Sequence, residues 1–345
     1  MRPPLTYRDA GVDIDRKVRA TRGALEAIRS TFTPGVLSDI GLFGGLFRLD
    51  PAWKDPVLVA TTDGVWTKLK VAVLAGRHDT VGRDLVNHCV NDALVQGARP
   101  LFFLDYIGLA SIDERVVRSL LEGCAAACRE NGCALIGGET AELPGLYPPG
   151  EYDLVGFLVG AVERGKIVDG SGIRVGDRLL ALPSSGLHTN GYSLARKIVF
   201  ERLGLDVSSN VPRLGCTVGE ALLRPHLSYL PAVGPLLEEV SVRGMAHITG
   251  GGLPDNLPRV LPKGTRARIR KGSWPVLPLF QWLAEEGGVP EEERYRVFNM
   301  GVGLVLVLAA GDVKRAKELL ARERWQSHEI GEIVAGPPGV EFVGP

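Results

Sequence analysis

The chain has 345 residues, with 40 Lys plus Arg against 40 Asp plus Glu, so its formal net charge is zero. That balance excludes recruitment of polyanions, nucleic acid or an anionic membrane surface by a long-range field, and any phosphate site must be built locally. Hydrophobic residues at 45% and charged residues at 23% describe an ordinary globular protein long enough for two domains.

No run of about 18 apolar residues predicts a membrane span. The segment Met1–Asp9 has no apolar core of a secretory leader, so a cytoplasmic location is expected. The five cysteines are an odd number. Cys124, Cys128 and Cys133 lack the paired spacing of a zinc site and read as reduced, buried thiols.

In chain order, Val57-Leu58-Val59-Ala60 predicts a strand leading into Thr61-Thr62-Asp63-Gly64. Leu85, Val86, Cys89, Val90, Ala93 and Leu94 recur at helical spacing and predict a helix over about 84–96. An apolar run at 101–104, a helix over about 113–131, a short strand at 134–136 ending in Gly137-Gly138-Glu139, and a strand over 154–162 follow. The pattern restarts after Gly165, with Asp169-Gly170-Ser171-Gly172 as a turn signal. A strand at 179–182 ends in Ser184-Ser185-Gly186. Helices are predicted near 190–203, 217–223, 231–239, 275–286 and 313–322, with strands at 304–308 and 329–334. Strands alternating with helices in two blocks predict two α/β domains, 1–165 and 166–345.

Several strand-end loops combine glycine with carboxylates or hydroxyls. Glycine lets the backbone approach a phosphate, and carboxylates there would repel it unless Mg²⁺ stands between. Asp63 lies in such a loop, followed by Gly64, Thr67, Lys68 and Lys70. Asp84, His88 and Asp92 are spaced by four on one helix, which predicts a solvated stripe opposite the apolar face, with Asn91-Asp92 as its functional end. Asp105 interrupts an apolar strand and needs a cation or metal. Gly137, Gly138, Glu139 and Thr140 form a further candidate loop with Glu142. In the second block, Ser185, His188 and Asn190 lie in a donor-rich strand-to-helix loop, and His247 precedes Gly250-Gly251-Gly252. A histidine beside a phosphate-sized glycine loop suits acid, base or electrophile work. Gly160–Lys166 mimics a Walker loop, but Ile167 replaces the Mg²⁺-binding hydroxyl, so nucleotide use would need a different fold.

Many blocks match one family in order: Tyr7–Asp15, His78–Val86, Val90-Asn91-Asp92, Pro100–Tyr106, Gly137–Glu142, Ser184–Gly186, Asn190–Ser193, His247–Gly252, Asn256–Pro262 and Phe298–Gly303. In these the chain resembles the phosphoribosylformylglycinamidine cyclo-ligases, also called aminoimidazole ribonucleotide synthetases. The resemblance implies an α/β subunit whose N-terminal mixed sheet pairs with that of a second copy in a barrel-like homodimer core, with a C-terminal α/β sandwich. It also implies ATP with Mg²⁺, K⁺ being an optional second cation. The implied reaction is ring closure of formylglycinamidine ribonucleotide to 5-aminoimidazole ribonucleotide, with release of ADP and phosphate. Carried over by position, Asp63 and Asp92 would ligate magnesium and Lys68 would contact phosphate. Asp105 and 137–140 would join the nucleotide site. His247 would act at the amide oxygen, and Ser185, His188, Asn190, Gly250 and Gly251 would touch substrate.

Two positions depart from the family pattern: Trp66 and Leu42 stand where glycine is usual. Leu42 is expected to pack against Trp66. The residues leave open another ATP-dependent enzyme of the same superfamily, and a non-catalytic nucleotide-binding protein.

Overall fold

The computed structural model describes residues 5–344 and hangs them on two sheets. The stretch Met1–Asp9 begins in residues 1–4, which lie outside the described residues. Two short helices, α1 (Ile14–Arg22) and α2 (Leu25–Arg29), precede β1 (Pro56–Gly64), α3 (Lys68–Ala75), α4 (Asp79–Leu94) and β2 (Arg99–Leu109). Then come α5 (Glu114–Glu130), β3 (Ala134–Glu142) and β4 (Tyr152–Glu163). The first sheet has the order β1-β4-β2-β3. Only β2 and β3 run parallel, and α5 supplies the long crossover that a parallel pair needs.

Phe103, Leu154 and Leu158 bury one face of this sheet in a core shared with α4 and α5. The other face is open, with Leu58 58% and Phe157 40% exposed. A single chain forms no closed barrel. One row crosses all four strands: Asp63 pairs with Gly156, Gly156 with Asp105, and Asp105 with Gly138. Gly156 has no substitute there, because a Cβ would sit 2.3 Å from the Phe103 ring.

The second half contains β5 (Arg178–Pro183), α6 (Tyr192–Arg196) with a π-helical turn after it, β6 (Asn210–Val211), β7 (Cys216–Thr217), α7 (Val218–Leu222), α8 (Leu230–Glu239), β8 (Val242–His247) and α9 (Gly252–Asn256). β9 (Thr265–Arg270), α10 (Pro278–Gly287), α11 (Glu291–Val297), β10 (Val302–Leu308), α12 (Val313–Arg322), β11 (His328–Ala335) and β12 (Val340–Val343) complete it. Its sheet runs β12-β9-β11-β5-β10-β8 and is antiparallel except for β12 beside β9. All seven residues of β10 are buried. Leu304 and Leu306 face α8 and α12 on one side, while Val305 and Val307 face Leu253 and Trp274 on the other.

Three expectations need correcting. The helix over 84–96 starts five residues earlier, at Asp79. Gly137 and Gly138 do not end a strand: β3 runs through Glu142, because β2 pairs with it to Leu109. Leu42 and Trp66 are 66% and 60% exposed, so neither buries itself on the other.

Candidate active site between the two halves

The polar stripe of α4 is not solvated, contrary to expectation. Asp84 and His88 are buried, along with Asn87 and Asn91, because the segment before α8 lies across them. Asp84 Oδ1 accepts from the His226 backbone N at 2.6 Å, and the Asn87 amide donates to the His226 carbonyl at 2.7 Å. Asn91 donates to the Leu227 carbonyl at 2.8 Å and accepts from Tyr229 N at 2.9 Å. Side chains spaced by three and four thus pair with an irregular segment of the second half, replacing the ladder that segment lacks.

Lys68 completes this seam. Its ammonium lies 2.6 Å from Asp84 Oδ2 and donates to the carbonyls of His188 at 3.0 Å and Arg224 at 2.8 Å. Two of its three donors are taken by carbonyls, and the ion pair with Asp84 holds the charge in place. Lys68 therefore joins the two halves here, buried against Asp84 and two carbonyls. Burial pushes its pKa down and that of Asp84 up, each opposed by the other's charge.

Four of the six histidines meet beside this seam. His88 Nε2 lies 2.7 Å from Asp63 Oδ2 and 3.7 Å from Asp92 Oδ2, so one imidazole bonds the first carboxylate and stands near the second. His88 Nδ1 is 2.8 Å from Thr189 Oγ1. His247 Nδ1 is 2.8 Å from Asp92 Oδ1, and its Nε2 is 2.9 Å from His226 Nε2. A carboxylate only accepts, so His247 carries its proton on Nδ1 and its bare Nε2 accepts from His226. His188 stacks on His226 with ring centres 4.0 Å apart and accepts from Ser185 N through Nε2.

The environments separate these rings. Burial would depress His88, but the hydrogen bond to Asp63 and the charges of Asp92, Asp63 and Asp84 outweigh it and raise its pKa. Burial holds His226 and His188 well below the ordinary imidazole value, reinforced by neighbouring cationic groups. Burial also lowers His247, against the pull of Asp92. Burial would raise Asp92, but His247 and His88 keep its pKa below the usual value.

Of the other expected site residues, Asn190 donates to Thr189 at 3.2 Å, and a Cβ on Gly250 would lie 3.2 Å from Asn190 Oδ1. The two glycine-rich loops therefore meet, with Gly251 at φ +90°. Ser185 Oγ donates to the Pro225 carbonyl at 2.5 Å. Gly64 N donates to Asp63 Oδ1, and Thr67 Oγ1 is 3.2 Å from Ser193 Oγ across the seam. Asp105 and residues 137–140 stand apart from this cluster, two and three strands over from β1. Among the described residues Asp105 has no cationic partner, and burial raises its pKa to about 7. Glu139 pairs with Lys17 at 2.5 Å, and Thr140 is buried. His226 and Thr189 were not foreseen as site residues; the concentration of histidines in loops of the second half was their only signal.

A cavity of about 480 Å³ opens beside Asp92 and His247, lined also by Thr61, Gln96, Asn256 and Arg259. A larger one, about 610 Å³, lies by Trp53, Arg99, Lys166 and Glu238 and touches none of the clustered carboxylates.

Residues 45–162 match the family model "AIR synthase related protein, N-terminal domain", and residues 174–344 match its C-terminal counterpart. The chain is 52% identical over 333 residues to a phosphoribosylformylglycinamidine cyclo-ligase of Trichlorobacter lovleyi, covering 96% of this chain and 95% of that one. It is 51% identical to the cyclo-ligase of Geobacter sulfurreducens, covering 98% and 97%. The chain belongs to the phosphoribosylformylglycinamidine cyclo-ligase family. Solved structures share the fold of this cyclo-ligase at low identity. A thiamine-monophosphate kinase from Stenotrophomonas maltophilia aligns with TM-score 0.70 at 19% identity, covering 93% of this chain and 96% of that one. A hydrogenase maturation protein HypE in complex with ATP aligns with TM-score 0.67 at 19% identity, covering 95% and 91%. Among the described residues of the cyclo-ligase chain, no helix is long and apolar enough to cross a membrane.

Proposed function

We propose that this cyclo-ligase closes the imidazole ring of 5-aminoimidazole ribonucleotide from formylglycinamidine ribonucleotide and ATP in the seam between its two halves. The observation that carries the placement is His88, one imidazole within 3.7 Å of both Asp63 and Asp92, beside a cavity of ligand size. An amide oxygen is a poor leaving group. Its phosphorylation by ATP lets an amidine nitrogen attack the carbon and phosphate depart, which calls for positioning and charge neutralisation.

Magnesium suits the chemistry of the donors: Asp63 and Asp92 both face His88, each side chain keeps some solvent exposure, and hard oxygen ligands suit the ion. Asp63 and Asp92 would hold it, and when bound it would neutralise phosphate charge. His88 holds Asp63, and His247 holds Asp92. His247 stands at the cavity wall and, on giving up its bond to His226, presents a bare Nε2 that can take the proton from the attacking amidine nitrogen. Asn190, Gly250 and Gly251 bound the substrate side, with Ser185 and His188 as the packing behind them. Gly64 and Thr67 flank the phosphate end of the nucleotide. Asp105 and 137–140 lie too far along the sheet to touch the same phosphate as Asp63 within one chain. We assign Gly137 and Glu139 to the nucleotide site only through the open sheet face, which a second copy would cover with its own Leu58 and Phe157, whereas Asp105 and Thr140 are on the covered face of the sheet, beneath α5. Residues 1–165 are on this reading the nucleotide and dimer unit, and 166–345 the substrate unit.

The direct test is incubation with formylglycinamidine ribonucleotide, ATP and Mg²⁺, reading ADP and the aminoimidazole. Phosphorylation of thiamine monophosphate in place of ring closure would overturn the proposal.

A further inference from the structure

The cavity beside Asp92 and His247 is asymmetric in charge. Asp92 stands on one wall, from α4, and Arg259 on another, from the turn Leu257–Val260 that follows α9. Arg259 has no carboxylate within 4 Å among the described residues, and its guanidinium makes no hydrogen bond to the protein. Neighbouring arginines differ: Arg266 and Arg268 pair with Glu341, and Arg270 with Glu329. Across the seam Arg99 and Lys166 share Glu238.

The base of Arg259 is nonetheless fixed. Leu257 is wholly buried, and the Asn256 amide donates to the Gly252 carbonyl at 2.8 Å. The Gly170 turn packs so closely on the Val260 carbonyl that a Cβ there would come within 2.0 Å. A held backbone with an unpaired guanidinium at a cavity suits an incoming anion, and the planar fork matches phosphate oxygens in pairs. The other acidic residue of the wall is Asp169, which accepts from Ser171 N at 2.9 Å and closes its own turn.

We infer that Arg259 anchors the 5′-phosphate monoester of the ribonucleotide substrate, so that the cavity holds the ribose phosphate with its reactive end toward Asp92 and His247. This rests on the cyclo-ligase reading and adds the residue that recognises the phosphorylated end. Thr61 and Gln96, also on the cavity wall, offer partners for ribose hydroxyls. The triphosphate belongs on the Asp63 side of the same seam, so one substrate's phosphate and the nucleotide's phosphates have separate cationic partners.

The test uses the full chain and compares wild type, Arg259→Gln and Arg259→Lys on the ribonucleotide and on its 5′-dephosphorylated ribonucleoside. Arg259→Gln is expected to raise KM for the ribonucleotide about 10- to 100-fold, as loss of charged hydrogen bonds does. kcat and the KM for ATP should stay within about threefold, and Arg259→Lys should fall between. Wild type should prefer the ribonucleotide over the ribonucleoside, and Arg259→Gln should lose most of that preference. Undiminished preference in Arg259→Gln overturns the anchor. Should wild type form no aminoimidazole at all, the function reading fails, and calorimetry with ribose 5-phosphate decides the anchor separately. Binding to wild type that Arg259→Gln abolishes supports it, and equal binding or none overturns it. Arg259 is exposed, so the variants should melt with wild type, and a matched melting curve separates a lost contact from a lost fold.

Discussion

Lys68 Nζ lies 2.6 Å from Asp84 Oδ2, and neither side chain reaches solvent. Removing one partner leaves the other charge buried without compensation. Lys68→Met is therefore expected to cost about 3–5 kcal/mol, and Asp84→Leu a similar amount. The double variant should cost less than the sum, because it buries no unpaired charge. Urea unfolding of the three variants measures this. Full additivity would mean that the two groups do not act as a pair.

Asp105 gives a pH dependence with an unusual sign. Its folded pKa is raised to about 7 by burial, above the ordinary 3.8. Between those values the folded protein keeps the proton and the unfolded chain loses it. Stability from this group therefore falls as pH rises from about 4 to 7 and stays low above that, by a few kcal/mol in order of magnitude. Asp105→Asn mimics the protonated acid and should flatten the dependence, making the variant the more stable protein at pH 8. Melting curves at pH 5 and pH 8 check it, and an unchanged difference between the two pH values would rule it out.

Trp66 is a large aromatic at φ 54°, a left-handed conformation, with 60% of its surface exposed. The conformation costs roughly 1–2 kcal/mol for a residue with a Cβ. Trp66→Gly relieves that and returns about 0.4–1 kcal/mol of freedom to the unfolded chain. The variant should be about as stable as wild type, or more stable by up to about 1 kcal/mol. Trp282→Ala removes a side chain only 5% exposed and should cost about 3–5 kcal/mol. Calorimetry on the two variants tests the contrast, and a Trp66→Gly loss as large as that of Trp282→Ala would show hidden packing.

The spacing of Asp84, His88 and Asp92 was readable as one helix face, but not what covers it. The covering segment lies more than 130 residues further along, and a polar stripe looks the same whether water or another backbone satisfies it. The strand β9, Thr265-Arg-Ala-Arg-Ile-Arg270, alternates with period two but was not picked out as an element, its arginines outnumbering its apolar residues. Their partners Glu341 and Glu329 sit on adjacent strands and were out of view. Gly137-Gly138 reads as a strand end because glycine usually marks one. The strand continues since Gly138 must leave room for Asp105, whose Oδ1 would lie 2.3 Å from a Cβ there. Asp63, Asp92 and His247 were legible from their neighbours in sequence. His226 was not, because Arg224-Pro225-His226 carries no glycine or acidic companion to mark it.

His247 has both ring nitrogens engaged, Nδ1 by Asp92 and Nε2 by His226. The two bonds have different meanings. Asp92 fixes the tautomer, and His226, neutral because burial depresses it, is a donor that can be exchanged for a reacting N–H whose proton Nε2 takes. His247→Ala is then expected to lower kcat about 100-fold at saturating ATP and Mg²⁺, within the range for loss of a proton-transfer group. His226→Ala should lower kcat only several-fold, since Asp92 still orients the His247 ring. Steady-state turnover of the two variants measures the gap. If His226→Ala proved as damaging as His247→Ala, with melting temperatures matched, His226 would be doing more than holding its neighbour. If His247→Ala recovered wild-type turnover at higher Mg²⁺, His247 would act only by aligning Asp92.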